Sequence, residues 1–201
     1  YKEKNIIKQE VYNELLPKAF GAIYRTYAFI DVKNNWLILD TNNAKNTENF
    51  ITFFKRSLSK IKITPPEIKK LSPILTDWLL NSSHPKSLNI EDACVLQDPK
   101  QVERITRIQK QDLSAKYVQA LLKNNFEISQ IKMTWNDQIT FVLKNDFTLQ
   151  SLQYQDSLTE LSDEDRNDSE ECGFKADFFI MSGILSKILS QFFKVFAKIS
   201  R

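Results

Sequence analysis

The period of the apolar positions changes several times along the chain, and each change marks an element. Residues 2–16 place Ile6, Ile7, Val11 and Leu15 among Lys and Glu, the spacing of one helical stripe. Pro17 ends that helix, because its ring and missing N–H do not fit a helix interior. From 23 to 40 the pattern becomes β-branched and aromatic. It predicts a hairpin of Tyr24–Val32 and Trp36–Asp40, turning at Asn34-Asn35. Asn42 or Asn43 is placed to cap a helix over 44–60, in which Phe50, Phe54 and Leu58 recur every fourth residue. Pro65-Pro66 closes a short extended piece, and Leu71–Leu80 reads as a short helix.

Asn81-Ser82-Ser83-His84-Pro85 is a polar break and the expected internal boundary, giving a helix–hairpin–helix region over 1–80 and a second region over 81–201. Extended segments over 88–96 and 102–111 flank a turn at Asp98-Pro99, and Ser114 or Asp112 is placed to cap a helix ending near Asn124-Asn125. Ile131, Met133 and Trp135, then Ile139, Phe141 and Leu143, alternate with polar residues around Asn136-Asp137. With Phe147–Tyr154 they predict a three-stranded meander. Residues 156–171 have no continuous apolar face and read as a solvated loop. A helix over 177–199 follows, with Lys187, Ser190, Gln191, Lys194, Lys198 and Arg201 on one polar stripe. Strand pairs and helices without regular βαβ alternation make the expected class α+β, with antiparallel sheets packed on helices.

Composition narrows the chemistry. Gly21, Gly173 and Gly183 are the only glycines of 201 residues, too few and too scattered for a phosphate-cradling glycine loop. One His and two Cys argue against a zinc site of the usual kind. Cys94 and Cys172 are far apart; without a secretory signal, two reduced thiols in a reducing cytosol are favoured over a disulfide. No unbroken run of 18 apolar residues occurs, so no membrane-crossing helix is expected. The chain starts at Tyr1 in a charged helical stretch and is expected to be a fragment or a trimmed chain.

The net charge of +3 hides an asymmetry. Asp156–Asp177 holds nine acidic and two basic residues, net −7, and the remainder holds 26 basic and 16 acidic, net +10. Lys55, Arg56, Lys60, Lys62, Lys69 and Lys70 cluster over 51–70, and Arg104, Arg107 and Lys110 follow in 102–111. Such rows neutralise phosphates and bind polyanions without sequence preference, although ordinary solvated surface looks similar. Asp40 with Glu67 and Lys69 forms an acid-x-Lys pattern that a metal-dependent nuclease would use, but such triplets are common in a Lys-rich chain. His84 lies in a polar break with no evident partner. The apolar last helix, basic on its polar stripe, suits protein packing better than a membrane surface, because its apolar sector is wide. With the acidic segment it leaves open a protein-interaction module that does not bind DNA.

Several segments, in one common order, resemble the bacterial recombination-associated protein family RdgC. Leu15-Leu16-Pro17-Lys18-Ala19-Phe20 resembles that family's "LLPRAF", Arg56-Ser57-Leu58-Ser59 its "RKSLGSL", and Thr76-Asp77-Trp78-Leu79 its "LTEWV". Phe29-Ile30-Asp31 with Leu37-Ile38-Leu39-Asp40 is similar to its hairpin, and Lys110-Gln111-Asp112-Leu113 matches "KQDL". Met133-Thr134-Trp135 with Ile139-Thr140-Phe141-Val142 resembles "LALDW…IQFV", and Phe174–Gly183 resembles "RFDADFILMTG". The N-terminal third of the family pattern, including its "MLWFKNL" start, has no counterpart here.

The resemblance implies a non-enzymatic, sequence-neutral DNA-binding protein, with no catalytic residue, metal or cofactor. It implies a ring-shaped homodimer that encircles duplex DNA and restrains the recombinase (RecA) filament, in the cytoplasm and on the nucleoid, without a membrane partner. Single-stranded DNA stays open as a ligand. By the same resemblance Phe20 is an expected dimer anchor, and Lys110 and Gln111 face DNA. Lys18, Lys55, Arg56, Lys60, Arg104 and Arg107 join them on charge.

Overall fold

The computed structural model describes residues 2–20, 25–58, 60–155 and 170–197. Contacts divide the chain into two compact units, Tyr1–Ser57 and Leu58–Arg201. The polar break at 81–85 lies inside the second unit. The helix before it buries Leu71, Leu75 and Trp78 in the same core as the strands after it.

In the first unit, helix α1 (Lys2–Leu15) runs into a 3-10 turn at Leu16–Lys18, where Pro17 stops the α-helical ladder. Every described side chain of α1 is exposed, including Ile6, Ile7, Val11, Tyr12 and Leu15. Strands β1 (Ala28–Asp31) and β2 (Trp36–Leu39) pair antiparallel, with Asp31 opposite Trp36. The turn between them is fixed by Asp31, whose carboxylate accepts hydrogen bonds from the Asn34 backbone N–H at 3.0 Å and its side-chain amide at 2.7 Å. Asn35 adopts φ 57°, a left-handed conformation that Asn tolerates. Asn43 caps helix α2 (Ala44–Ser57), its side-chain oxygen accepting the Lys45 N–H at 2.9 Å. Phe50 and Phe54 stack on one stripe, 5.6 Å apart. Leu58, expected to continue the helix, lies beyond its end.

The second unit is a five-stranded antiparallel sheet covered on one face by helices. Its elements are α3 (Leu71–Asn81), β3 (Leu88–Gln97), β4 (Ile105–Ile108), α4 (Lys116–Lys123), β5 (Glu127–Trp135), β6 (Ile139–Lys144), β7 (Leu149–Tyr154) and α5 (Glu170–Phe196). The strand order is β4-β3-β5-β6-β7, so the expected meander is joined by two further strands. Asn136 and Asp137, with φ 48° and 55°, fill the centre of the β5–β6 turn, which the Gln138 N–H closes on the Trp135 carbonyl at 2.9 Å.

Two local expectations are corrected. Strand β4 is shorter than 102–111. Asp98 and Arg104 close a hydrogen-bonded turn before it (Asp98 N–H to Arg104 O, 3.1 Å), and Lys110 at φ 54° leaves the ladder after it. Neither Ser114 nor Asp112 caps α4. The cap position is Ala115, and Asp112 instead accepts the Ser114 N–H at 2.8 Å and its hydroxyl, fixing the turn before the helix.

The last helix starts earlier than expected, at Glu170, so 170–171 are helical; the rest of the expected acidic loop lies outside the described residues. Over Phe174–Phe196 this helix is long and apolar enough to cross a membrane by length and composition. An unbroken apolar run was too strict a criterion, because isolated Lys and Ser residues interrupt the run without lowering the average enough. In this fold its second half is a core element. Ile184, Leu185, Ile188, Phe192 and Phe196 are buried, and Gln191 accepts the Trp135 indole N–H at 2.7 Å.

The core is apolar side chains meeting across one interface. Leu88, Cys94 and Leu96 of β3, Ile131, Met133 and Trp135 of β5, and Ile139, Phe141 and Leu143 of β6 face the helices. Phe192 packs edge-on to Phe141 with centroids 5.9 Å apart, and Trp78 lies against Phe196 at 5.4 Å. Cys94 is a free, buried thiol, and burial pushes its pKa up to about 11. It is therefore inert while folded. In a Cys172→Ser background, Cys94 is expected to resist a thiol reagent at pH 8 and to react on adding denaturant. Because the folded pKa is raised, this thiol's stabilising effect is complete below the unfolded value. It declines as pH climbs from about 9 toward 11, which denaturant titrations across that range would register.

Candidate nucleic-acid interface

Strand alternation that sends Ile131, Met133 and Trp135 inward sends Gln130, Lys132 and Thr134 to the opposite face of the sheet. On β6 the same rule places Thr140, Val142 and Lys144 there, and on β4 it places Arg107 opposite buried Ile108. Of these outer-face residues only Thr134 is buried. The pairing register lines up Arg107, Val95, Gln130 and Lys144 in one row across four strands. Three strand steps separate the cations at its ends, roughly 14 Å by ordinary strand spacing. Lys132 stands two residues along β5 from Gln130, on the same face.

A bulge shapes one side of this face. Between the pairs Ile90↔Met133 and Cys94↔Ile131, β3 advances four residues while β5 advances two, so Glu91, Asp92 and Ala93 bow out of register. Side chains pin the bow. The Thr134 hydroxyl donates to Glu91 at 2.6 Å and lies 2.9 Å from the Thr140 hydroxyl. Lys132 Nζ reaches Asp92 at 3.0 Å, and the Gln111 backbone N–H donates to the Asp92 carbonyl at 3.2 Å. The Lys132 hydrogen bond holds the Asp92 carboxyl below its ordinary pKa, and Lys110 adds a weaker attraction. Lys110 and Gln111 therefore sit against the bulge, and the Gln111 side chain accepts the Tyr117 hydroxyl.

The structure thus brings Arg107, Lys110 and Gln111 to one region and adds Lys132 and Lys144, which sequence reasoning passed over. Their signal was present: each is a polar residue alternating with buried neighbours in the meander. Lys144 also pairs with Asp146 at 3.1 Å. Arg104 is turned elsewhere, its guanidinium over the Phe126 ring at 5.5 Å and paired with Asp98 at 3.2 Å. Lys60 is exposed in the second unit. Lys18, Lys55 and Arg56 are exposed in the first, Lys18 paired with Glu14 at 3.3 Å and the other two in the last turn of α2, where cations suit the helix dipole. Phe20 is fully exposed, at 102% of its reference area. Asp40 belongs to the first unit, whereas Glu67 and Lys69 are exposed in the second. Among the described residues no group of three or more His, Cys, Asp or Glu could hold a metal. His84 is half-buried with Nδ1 3.3 Å from the Pro85 carbonyl.

Residues 1–199 match the family described as "Putative exonuclease, RdgC". The chain belongs to the RdgC family. Among its relatives named recombination-associated protein RdgC, one from Psychromonas ingrahamii is 28% identical over 94% of this chain and 63% of its own length. One from Aeromonas hydrophila is 26% identical over 96% and 64%, and one from Neisseria meningitidis 29% over 94% and 64%. The chain therefore spans somewhat under two thirds of the RdgC relatives it matches. The outer sheet face with its bulge lies wholly within the matched span.

Proposed function

We propose that this chain is the DNA-holding part of a recombination-associated protein that binds duplex without sequence preference and catalyses no reaction. The observation that carries the reading is the outer sheet face, where Arg107, Lys132 and Lys144 share one surface with Gln, Thr and Val, Lys110 lies near the bulge, and the acids Glu91 and Asp92 are engaged by Thr134 and Lys132. Arg107 and Lys144 are about as far apart as the roughly 12 Å major groove is wide, so the face can set one cation on each phosphate rail.

A second copy would close the assembly. Phe20 and the exposed apolar stripe of α1 offer a self-complementary contact of the kind a two-fold dimer uses. A closed pair holding duplex would restrain a recombinase filament by occupying its track, and would place the protein on the nucleoid in the cytoplasm.

Duplex affinity measured across salt concentrations tests the reading. The logarithm of the association constant is expected to fall linearly with the logarithm of salt, at about −0.9 per phosphate contact, and equally for unrelated sequences. A flat dependence, or a marked preference for one sequence, refutes it. Comparing single strands of the same length decides which form is held.

The word exonuclease in the family description supports a second reading, a metal-dependent nuclease with Glu67 and Lys69 of the second unit as its candidate residues. Linear duplex incubated with Mg²⁺ or Mn²⁺ separates the two: degradation from the ends that is lost in Glu67→Ala would favour the nuclease.

A further inference from the structure

Asp92 is an acid placed in the middle of a cationic face. It is there because the β3 bulge puts it there, and the bulge is held by three separate bonds, from Thr134 to Glu91, from Lys132 to Asp92 and from the Gln111 backbone to the Asp92 carbonyl. Bulges of this kind re-aim side chains at functional surfaces. Both partners of the ion pair are only partly covered, with side-chain exposures of 35% for Lys132 and 44% for Asp92. An exchange of partner is therefore possible without unfolding anything. Lys110, at φ 54°, is the other cation near the carboxylate.

We infer that Asp92 is a built-in stand-in for a DNA phosphate: its carboxylate holds Lys132 in the free protein, and a phosphodiester oxygen displaces it when duplex docks. This rests on the duplex-binding reading above and assigns Asp92 a regulatory part in it. The carboxylate keeps Lys132 extended and aimed, and it weakens binding, because each docking event must give up one existing charge pair. The consequence is a grip that releases readily.

The experiment is a double-mutant cycle read by salt titration of duplex affinity. Asp92→Asn is expected to bind duplex about 2–5-fold more tightly at 0.1 M salt with the salt slope unchanged, because Lys132 reaches a phosphate in both proteins and only the loss of the part-exposed ion pair is avoided. Asp92→Glu, which keeps the charge, should retain the wild-type affinity. In a Lys132→Gln background, Asp92→Asn should change neither quantity. Asp92→Ser, which also removes the charge, must reproduce the gain, and melting curves of each variant identify any loss of fold. If wild type shows a steep salt dependence and Asp92→Asn leaves affinity unchanged or lowers it, this inference is overturned and the DNA-binding reading stands. If the wild-type dependence is itself flat, both fall.

Discussion

Replacing Arg107, Lys132 and Lys144 together by Gln is expected to lower duplex affinity on the order of 10²–10³-fold at 0.1 M salt and to reduce the salt slope by about 2.7. The arithmetic is that of counterion release. Each cation on a phosphate contributes about 0.9 to the slope, equivalent to a factor of about 8 at that salt, and three act together. The three come from β4, β5 and β6 and share one face, so a single duplex can meet all of them. Gln preserves length and polarity, and none of the three side chains belongs to the core, so the melting temperature should move little. The triple Lys18, Lys55 and Arg56 to Gln is the comparison. Those residues belong to the first unit, and an equal loss from them would move the site off the sheet.

The second large effect is on stability. Phe192→Ala is expected to destabilise the second unit by about 3–5 kcal/mol and to lower its melting temperature by roughly 10–20 °C. Phe192 is 1% exposed and is the aromatic hub between α5 and the sheet, with centroids 5.3 Å from Phe196, 5.9 Å from Phe141 and 6.1 Å from Phe147. Truncation removes the burial term and leaves a void that three rings cannot fill without leaving their own contacts. Phe179, on the exposed first half of the same helix, is the control. Its change to Ala should fall within about 0.5 kcal/mol by the same thermal scan. Comparable losses from both would mean that Phe179 is packed as well, because Ala favours the helix over Phe and helicity alone cannot account for a loss.

These two outcomes map onto what the sequence could and could not say. The meander was legible because Ile131, Met133 and Trp135, then Ile139, Phe141 and Leu143, alternate without a break, and Asn136-Asp137 accepts positive φ. α2 and its Asn43 cap were legible for the same local reason. The joining of β3 and β4 to the meander was not, because strand order is decided by contacts between distant segments, such as Leu88 with Trp135. The bulge was hidden too: Glu91-Asp92 reads as a flaw in an apolar strand until Lys132 and Thr134 are seen to hold it. The same blindness explains the site. Basic residues close in sequence drew attention to Arg104, which the fold turns onto Phe126, while Lys132 and Lys144 stood alone between apolar neighbours and became a group only across strands.

The late position of α5 also bears on how the chain is made. From Lys144, the end of β6, to Phe196 the chain runs 52 residues. At ordinary ribosomal speeds of about 5–20 residues per second, that is a wait of roughly 3–10 s. During it Phe141, Leu143 and Trp135 have no lid from Phe192 and Phe196, and the nascent sheet is sticky on the side that will later be its interior. Each molecule therefore passes through an interval in which a chaperone, or a neighbouring nascent chain, competes with its own last helix for that surface.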